Sequence, residues 1–202
     1  MRRLHVLTRH VRRSTGKVLH VGCADTKPID HPAWLHKHLV KAAGDREVIG
    51  IDLNQTVIEA MRQRGYSAEQ GDALEMDRRF QGEFGLVVAG EIVEHIPSQL
   101  AFLRACRNVL APDGRLVIST PNPCGVVSVL GYWLIQRESW GTGHVLWQSP
   151  RTMATLATEA GLRLAGFQHC DWDARGWWMY GAIPLELFPR MKPTIVYELT
   201  RA

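Results

Sequence analysis

Cysteine is scarce and unpaired in this chain. The four present, Cys23, Cys106, Cys124 and Cys170, form no Cys-x-x-Cys. Neither a zinc pattern nor a disulfide framework is therefore indicated. No apolar run reaches the roughly 18 residues of a membrane span. The start, Met1-Arg2-Arg3-Leu4, lacks the continuous apolar core of a secretory signal, so a cytoplasmic protein is the expectation. Internal repeats and low-complexity linkers are also missing, which excludes a solenoid. There is no G-x-G-x-x-G either. Gly22 is followed by Ala24 and Thr26, so the phosphate cradle of a nicotinamide dinucleotide site is lacking, and an oxidoreductase of that type is disfavoured.

What is present is ordinary for a globular protein: 202 residues, 46% apolar and 22% charged. One domain over 1–202 is the expectation. The net charge of +4 is partly concentrated in Arg2, Arg3, Arg9, Arg12 and Arg13. A solvated first helix is the plain reading of that cluster. Attraction to phosphate, anionic lipid or RNA is the alternative.

Apolar runs alternate with segments of helical period. The pattern predicts strands at 17–21, 47–51, 66–70, 84–89, 114–119 and 162–168, with helices over 32–43, 55–64, 98–110 and 151–160. This is the order of a doubly wound parallel sheet. Asn54, Ser98 and Ser149 stand as helix N-caps, the last with Pro150 at the first helical position, and Gly65 and Gly161 stop two helices. Two segments fall outside the rhythm, about 121–148 and 171–193. The second holds Trp172, Trp177, Trp178 and Tyr180 near Arg175 and Arg190. Ligands of an open sheet bind beyond the carboxyl ends of its strands, so both segments are expected walls of an acceptor site. The tryptophans are read as core or dimer packing, with ring stacking or peripheral membrane contact as alternatives.

The first strand, Lys17-Val18-Leu19-His20-Val21, runs straight into Gly22-Cys23-Ala24-Asp25, and the second ends in Val48-Ile49-Gly50-Ile51-Asp52. Gly22 lets the backbone turn sharply and approach a ligand, and the amides after it can face a carboxylate. Asp52 can accept from two ribose hydroxyls, although it follows Gly22 by about 30 positions instead of the roughly 20 of a compact dinucleotide unit. Gly71-Asp72-Ala73 follows the third strand, and Phe84-Gly85-Leu86-Val87-Val88-Ala89-Gly90-Glu91 closes the fourth. Asp72 reads equally as a helix N-cap.

In this order, with Glu91-Ile92-Val93-Glu94-His95-Ile96 and Leu110-Ala111-Pro112-Asp113-Gly114-Arg115-Leu116 behind them, the segments resemble the class I S-adenosylmethionine-dependent methyltransferases over roughly 17–168. The resemblance implies an α/β fold. It is a three-layer α/β/α Rossmann-like sandwich on a mostly parallel seven-stranded sheet, with the last strand, Thr194 to Leu199, inserted antiparallel beside the fifth and sixth. It implies S-adenosyl-L-methionine as cofactor, held by His20, Gly22, Cys23, Ala24, Asp52, Leu53, Asp72, Ala73, Gly90 and Glu91. Asp52 would take the ribose hydroxyls, and Asp72 the adenine amino group with the Ala73 amide on the ring. Two positions depart from the family pattern: His20 stands where an acid is usual, and Ala24 where a second Gly is usual. Asp25 is a candidate to supply the missing charge. Gly85 replaces a common aspartate.

Glu91-x-x-Glu94-His95 falls at the tip of the fourth strand, where the reacting methyl belongs. Two carboxylates and an imidazole can be a base or a metal site. The expected catalytic residues are His95, His144 and Glu94, with an imidazole taking the acceptor's proton. A Mg²⁺ ion on Glu91, Glu94, His95 and His144 is the alternative, as in metal-assisted O-methyltransferases of quinone precursors or of small RNA ends. The reading is O-methylation of a small molecule or a glycan or lipid-linked acceptor. An RNA methyltransferase and a non-catalytic cofactor-binding relative are its rivals. The acceptor and the oligomeric state are not legible.

Overall fold

Strand side chains alternate between the two faces of a sheet, and each face here is apolar, so helices must cover both. The computed structural model describes residues 1–24, 28–135, 143–171 and 188–202. Its elements are α1 (Arg3–Arg13), β1 (Lys17–Val21), α2 (Leu35–Ala43), β2 (Val48–Asp52), α3 (Gln55–Gln63), β3 (Ala68–Gln70) and β4 (Phe84–Gly90). They continue as α4 (Gln99–Val109), β5 (Leu110–Pro121), α5 (Val126–Ile135), α6 (Pro150–Glu159), β6 (Leu162–Cys170) and β7 (Thr194–Arg201).

The seven strands run in the order β3-β2-β1-β4-β5-β7-β6. β1 pairs parallel with β2 and β4, and β4 with β5, whereas β7 lies antiparallel between β5 and β6. The expected α/β sandwich with its antiparallel last strand is borne out. On one face, Val18, Leu86, Val88 and Val117 pack under α1 and α2; on the other, Leu19, Val87, Leu116 and Ile118 pack under α4 and α6. Each fully buried side chain of this size contributes about 1.5–3 kcal/mol. Among the described residues no helix is long and apolar enough to cross a membrane.

Several local expectations change. The first helix is not simply solvated: Val6, Leu7 and Val11 are fully buried, a helical stripe that seats α1 on the sheet. The second helix starts at Leu35 instead of residue 32, because Trp34 is held in a turn by its amide bond to the His31 carbonyl and by its indole bond to the Cys23 carbonyl. The third strand shrinks to Ala68–Gln70, and the fifth extends to Leu110–Pro121. α5 arises within a segment read only as an acceptor wall. Asn54 and Ser149 cap as expected, whereas Ser98 makes no side-chain cap bond.

Candidate active site

The carboxyl ends of the parallel strands bring the sequence-predicted residues together. Gly22 takes φ +74°, a region that disfavours any side chain, and a Cβ there would stand 2.8 Å from Ile92 Cδ1. Its amide and that of Cys23 both donate to the Ile51 carbonyl, at 2.9 and 3.3 Å, which fixes the turn against the end of β2. Asp52 accepts from the Ala24 amide through Oδ2 at 3.0 Å and from the Asn54 amide through Oδ1 at 2.9 Å. Each carboxylate oxygen keeps a further lone pair, so the anchored carboxylate can still accept from hydroxyls. Leu53, 67% exposed beside it, offers an apolar surface that a nucleobase face would cover. Asp72 Oδ1 accepts from the Leu74 amide at 2.8 Å and closes a turn; no helix starts at Ala73, so the N-cap alternative read from the sequence is not realised. Ala73, next in the chain, packs partly buried on the core.

His20 and Cys23 lie below this rim. His20 is buried with Nδ1 3.1 Å from Nδ1 of His36, so one ring donates and the other accepts. Burial first, then the neighbouring charges of His36 and Arg3, holds His20 well below the usual imidazole range, and burial lowers His36 to about 4. A neutral pair thus stands where the family pattern has an acid. Gly50 makes room for it, since a Cβ there would meet Cys23 Sγ at 2.7 Å and His36 Cε1 at 3.1 Å. Burial pushes the Cys23 thiol up to about 12, which makes it inert packing.

At the tips of β4 and β5, Glu91, named from the sequence, meets two residues that the sequence did not single out, Arg3 and Ser119. Glu91 is the one non-glycine residue at positive φ, +54°, among the described residues, and strain of this kind concentrates at functional sites. Its amide donates to the Ser119 carbonyl at 2.9 Å, and its Oε1 faces Arg3 Nη1 at 3.6 Å. Arg3 is itself buried at the start of α1. Glu91 Oε1 and Ser119 Oγ are buried without a hydrogen bond, an arrangement that invites a polar ligand. A Cβ on Gly90 would crowd Leu35 Cδ2 at 2.6 Å and lie 3.8 Å from Ser119 Oγ. Arg3 was concealed among the other arginines, and only the helical stripe beside it could have marked it as inward-facing.

Glu94 and His95 follow at once along the chain. Glu94 is buried, its Oε2 accepting from Thr120 Oγ1 at 3.0 Å. Burial, and then the charge of Glu91, raises its carboxyl to about 8. The Glu94 carbonyl accepts from the Val145 amide at 2.8 Å, which folds the 143–149 loop over the strand tip. His95 Nδ1 lies 3.1 Å from the Gly143 carbonyl. A carbonyl only accepts, so Nδ1 carries the hydrogen and Nε2 is left as the basic nitrogen. The His144 ring stands edge-on to His95 at 4.8 Å. Burial and then the charge of His95 lower the His144 pKa, so the pair resists holding two protons. One ligand atom from each of Glu94, His95 and His144 falls within 4.8 Å of the others.

A buried chain of bonds fixes this loop. Tyr197 of β7 donates to the Gln148 carbonyl at 2.9 Å, the Gln148 amide bonds Gln99, and Gln99 Nε2 donates to the Val93 carbonyl at 2.8 Å. Thr120, Gln99 and Tyr197 carried no sequence signal, because their partners are distant along the chain. Asp25 and the cluster of Trp172, Arg175, Trp177, Trp178 and Tyr180 lie outside the described residues.

Comparison with known proteins decides what this geometry belongs to. The pattern of a family described as a methyltransferase domain matches residues 2–165. The chain belongs to that methyltransferase family. A ubiquinone biosynthesis O-methyltransferase of Xanthomonas euvesicatoria pv. vesicatoria (strain 85-10) is 29% identical over 191 residues, covering 86% of this chain and 74% of that protein. One from Aromatoleum aromaticum (strain DSM 19018 / LMG 30748 / EbN1) is 26% identical over 174 residues, covering 81% of this chain and 70% of that protein. In fold, the methyltransferase resembles an S-adenosylmethionine-dependent methyltransferase from Archaeoglobus fulgidus, with TM-score 0.66 and 17% identity over 98% of this chain and 94% of the other. It also resembles the magnesium protoporphyrin IX methyltransferase of Synechocystis PCC 6803, solved with bound S-adenosylhomocysteine, with TM-score 0.65 and 14% identity over 98% of this chain and 82% of that one. The protein is an S-adenosylmethionine-dependent methyltransferase.

Proposed function

We propose that this methyltransferase methylates a hydroxyl oxygen of a small molecule, with His95 as the general base. The observation that carries the reading is the 3.1 Å contact of His95 Nδ1 with the Gly143 carbonyl, which leaves Nε2 bare at the tip of β4. The cofactor fits the residues present: Gly22 makes a left-handed turn packed closely on Ile92 with no side chain of its own in the way, Asp52 offers acceptors, and Glu91 and Ser119 hold buried oxygens without a hydrogen bond. Asp52 and Leu53 would hold the nucleoside, while Arg3 and Glu91 would face the charged amino-acid end.

When bound, S-adenosylmethionine supplies a methyl made electrophilic by its sulfonium. The protein's task is alignment and proton removal. His95 Nε2 would take the acceptor's hydroxyl proton during transfer. Glu94 is too buried to touch an acceptor; it holds the 143–149 loop through its carbonyl and Thr120 through its carboxyl. His144, kept neutral, limits where an acceptor ring can enter. The kinship to ubiquinone biosynthesis O-methyltransferases supports a phenolic hydroxyl as the acceptor class. Glycan or lipid-linked hydroxyls belong to the same chemistry.

The clustering of Glu94, His95 and His144 favours a second reading, a cation that lowers the acceptor's pKa. Mg²⁺ does not fit this set, since it takes oxygen ligands and two of the three donors are imidazoles. The test is transfer of labelled methyl from S-adenosylmethionine to a simple catechol, with and without a chelator. Labelled methyl ether that forms regardless of chelator and falls about 10²- to 10⁴-fold in His95→Ala supports the base. Transfer that survives His95→Ala unchanged contradicts it, and transfer abolished by the chelator moves the three residues to the metal reading.

A further inference from the structure

The turn that follows β1 and the carboxylate that ends β2 are joined through one peptide group. Asp52 Oδ2 accepts from the Ala24 amide at 3.0 Å, and the carbonyl of the same Cys23–Ala24 peptide accepts from the indole Nε1 of Trp34 at 3.1 Å. A peptide unit is planar, and its C=O and N–H point to opposite sides. The indole on one side and the carboxylate on the other therefore fix a single plane. Turning that plane to take the N–H off Asp52 would also take the carbonyl off the indole, and a buried indole N–H without an acceptor is costly.

Trp34 is itself tightly held. It is fully buried and packs with Cys23, Ile58, Met61 and Ala68. Its ring meets Tyr66 edge-on at 5.1 Å and lies tilted to His36 at 5.4 Å. Its amide donates to the His31 carbonyl at 3.0 Å, and the His31 amide to the Pro28 carbonyl at 2.8 Å, so the backbone ahead of α2 is a closed turn. The indole is left little freedom. At the other end of the relay, Asp52 Oδ1 takes the amide of Asn54, two residues on, at 2.9 Å, whereas Oδ2 depends on a turn 28 positions earlier. The first bond ties the carboxylate to its own strand end, and the second turns it toward the Gly22 loop. Core packing alone would be served by any large apolar ring; the N–H is what tryptophan adds at this position.

We propose that Trp34 is a positioning residue for the cofactor's ribose, a role that rests on the reading of Asp52 as the ribose acceptor. Through the Cys23–Ala24 peptide it holds the Asp52 carboxylate in the orientation that accepts from the two hydroxyls. Being fully buried, it does so without touching the cofactor. A carboxylate oriented before the ligand arrives has less freedom to lose on binding it.

The test is calorimetric titration of the full chain with S-adenosylhomocysteine and with its analogue lacking both ribose hydroxyls. Three proteins are compared: the wild type, Trp34→Phe, and a chain carrying benzothienylalanine in place of Trp34, which keeps the bicyclic ring and exchanges the N–H for sulfur. The wild type is expected to prefer S-adenosylhomocysteine by roughly tenfold to a hundredfold, the scale of hydrogen bonds to a charged group. Both variants are expected to lose about threefold to tenfold toward S-adenosylhomocysteine, while their affinity for the analogue stays within about twofold. Equal losses toward the two ligands would reduce Trp34 to packing and overturn the proposal. A wild type that binds the two ligands alike overturns the Asp52 assignment and the role of Trp34 with it, whereas a full wild-type preference in both variants overturns the role of Trp34 alone. If Trp34→Phe fails to fold, the benzothienylalanine protein decides, because its ring fills the same space.

Discussion

The two halves of the sheet are built by different rules. In β3, β2, β1 and β4 every strand is parallel, and at its tip or within two positions of it stands a residue we propose for the cofactor: Asp72, Asp52, Gly22 and Gly90. In β5, β7 and β6 the pairing to β7 is antiparallel, and what that half gives the site is long-range: Thr120 to Glu94, and Tyr197 through Gln148 and Gln99 to Val93. On the proposed reading, local geometry holds the cofactor and tertiary contacts shape the acceptor side. A cofactor shared by many enzymes can be read by a fixed local pattern, whereas the acceptor wall is free to vary.

The largest effect expected from breaking this comparison is at Gly22. Gly22→Val places a branched side chain at φ +74° and 2.8 Å from Ile92 Cδ1. The left-handed conformation alone costs about 1–2 kcal/mol, and the branch would push on Ile92 and into the side from which the cofactor is proposed to approach. Calorimetric titration with S-adenosylhomocysteine is expected to show no saturable binding, while circular dichroism still reports a folded protein. Retained affinity would mean that the cofactor does not pass this turn.

The next effect sharpens the cofactor half through pH. The unfolded chain protonates His36 near 6.5, whereas the folded protein resists until about 4 because burial disfavours the charge. His20 shifts in the same direction, with Arg3 nearby adding to it. Stability is therefore fully present above pH 6.5 and falls as pH drops toward 4, by about 3 kcal/mol from His36 alone. Urea titrations across that window should flatten in His36→Phe. An unchanged slope would show that the pair does not govern acid stability.

The smallest effect lies in the acceptor half. Tyr197→Phe removes the donor to the Gln148 carbonyl and should cost about 1–3 kcal/mol in denaturant midpoint measurements, because a buried carbonyl is left unsatisfied. Turnover should fall with it, since the 143–149 loop loosens, while S-adenosylhomocysteine affinity stays within a few-fold. A fall in cofactor affinity equal to the fall in turnover would erase the division between the halves.

The same division explains what could be read from the chain. Strand-then-Gly at Val21-Gly22 and strand-then-Asp at Ile51-Asp52 are short-range signals, and the structure puts both where the sequence indicated. The parallel order followed from the strand–helix alternation. Arg3 was illegible because charge density in a run of arginines hides the single inward one; its burial depends on α1 meeting α2 and the tips of β1 and β4. His20 was legible only as a departure, and its partner His36, 16 residues on, gave no hint of the pair. α5 was missed because an uncharged run without periodicity does not separate helix from strand or core from surface.

The most direct test of this account is calorimetric titration of S-adenosylhomocysteine into Asp52→Ala and His95→Ala side by side. The account predicts that Asp52→Ala loses at least about tenfold in affinity, the scale of one or more charge-assisted hydrogen bonds, while His95→Ala stays within a few-fold of the wild type. Equal losses in the two variants would place His95 in the cofactor site and contradict its role as the base.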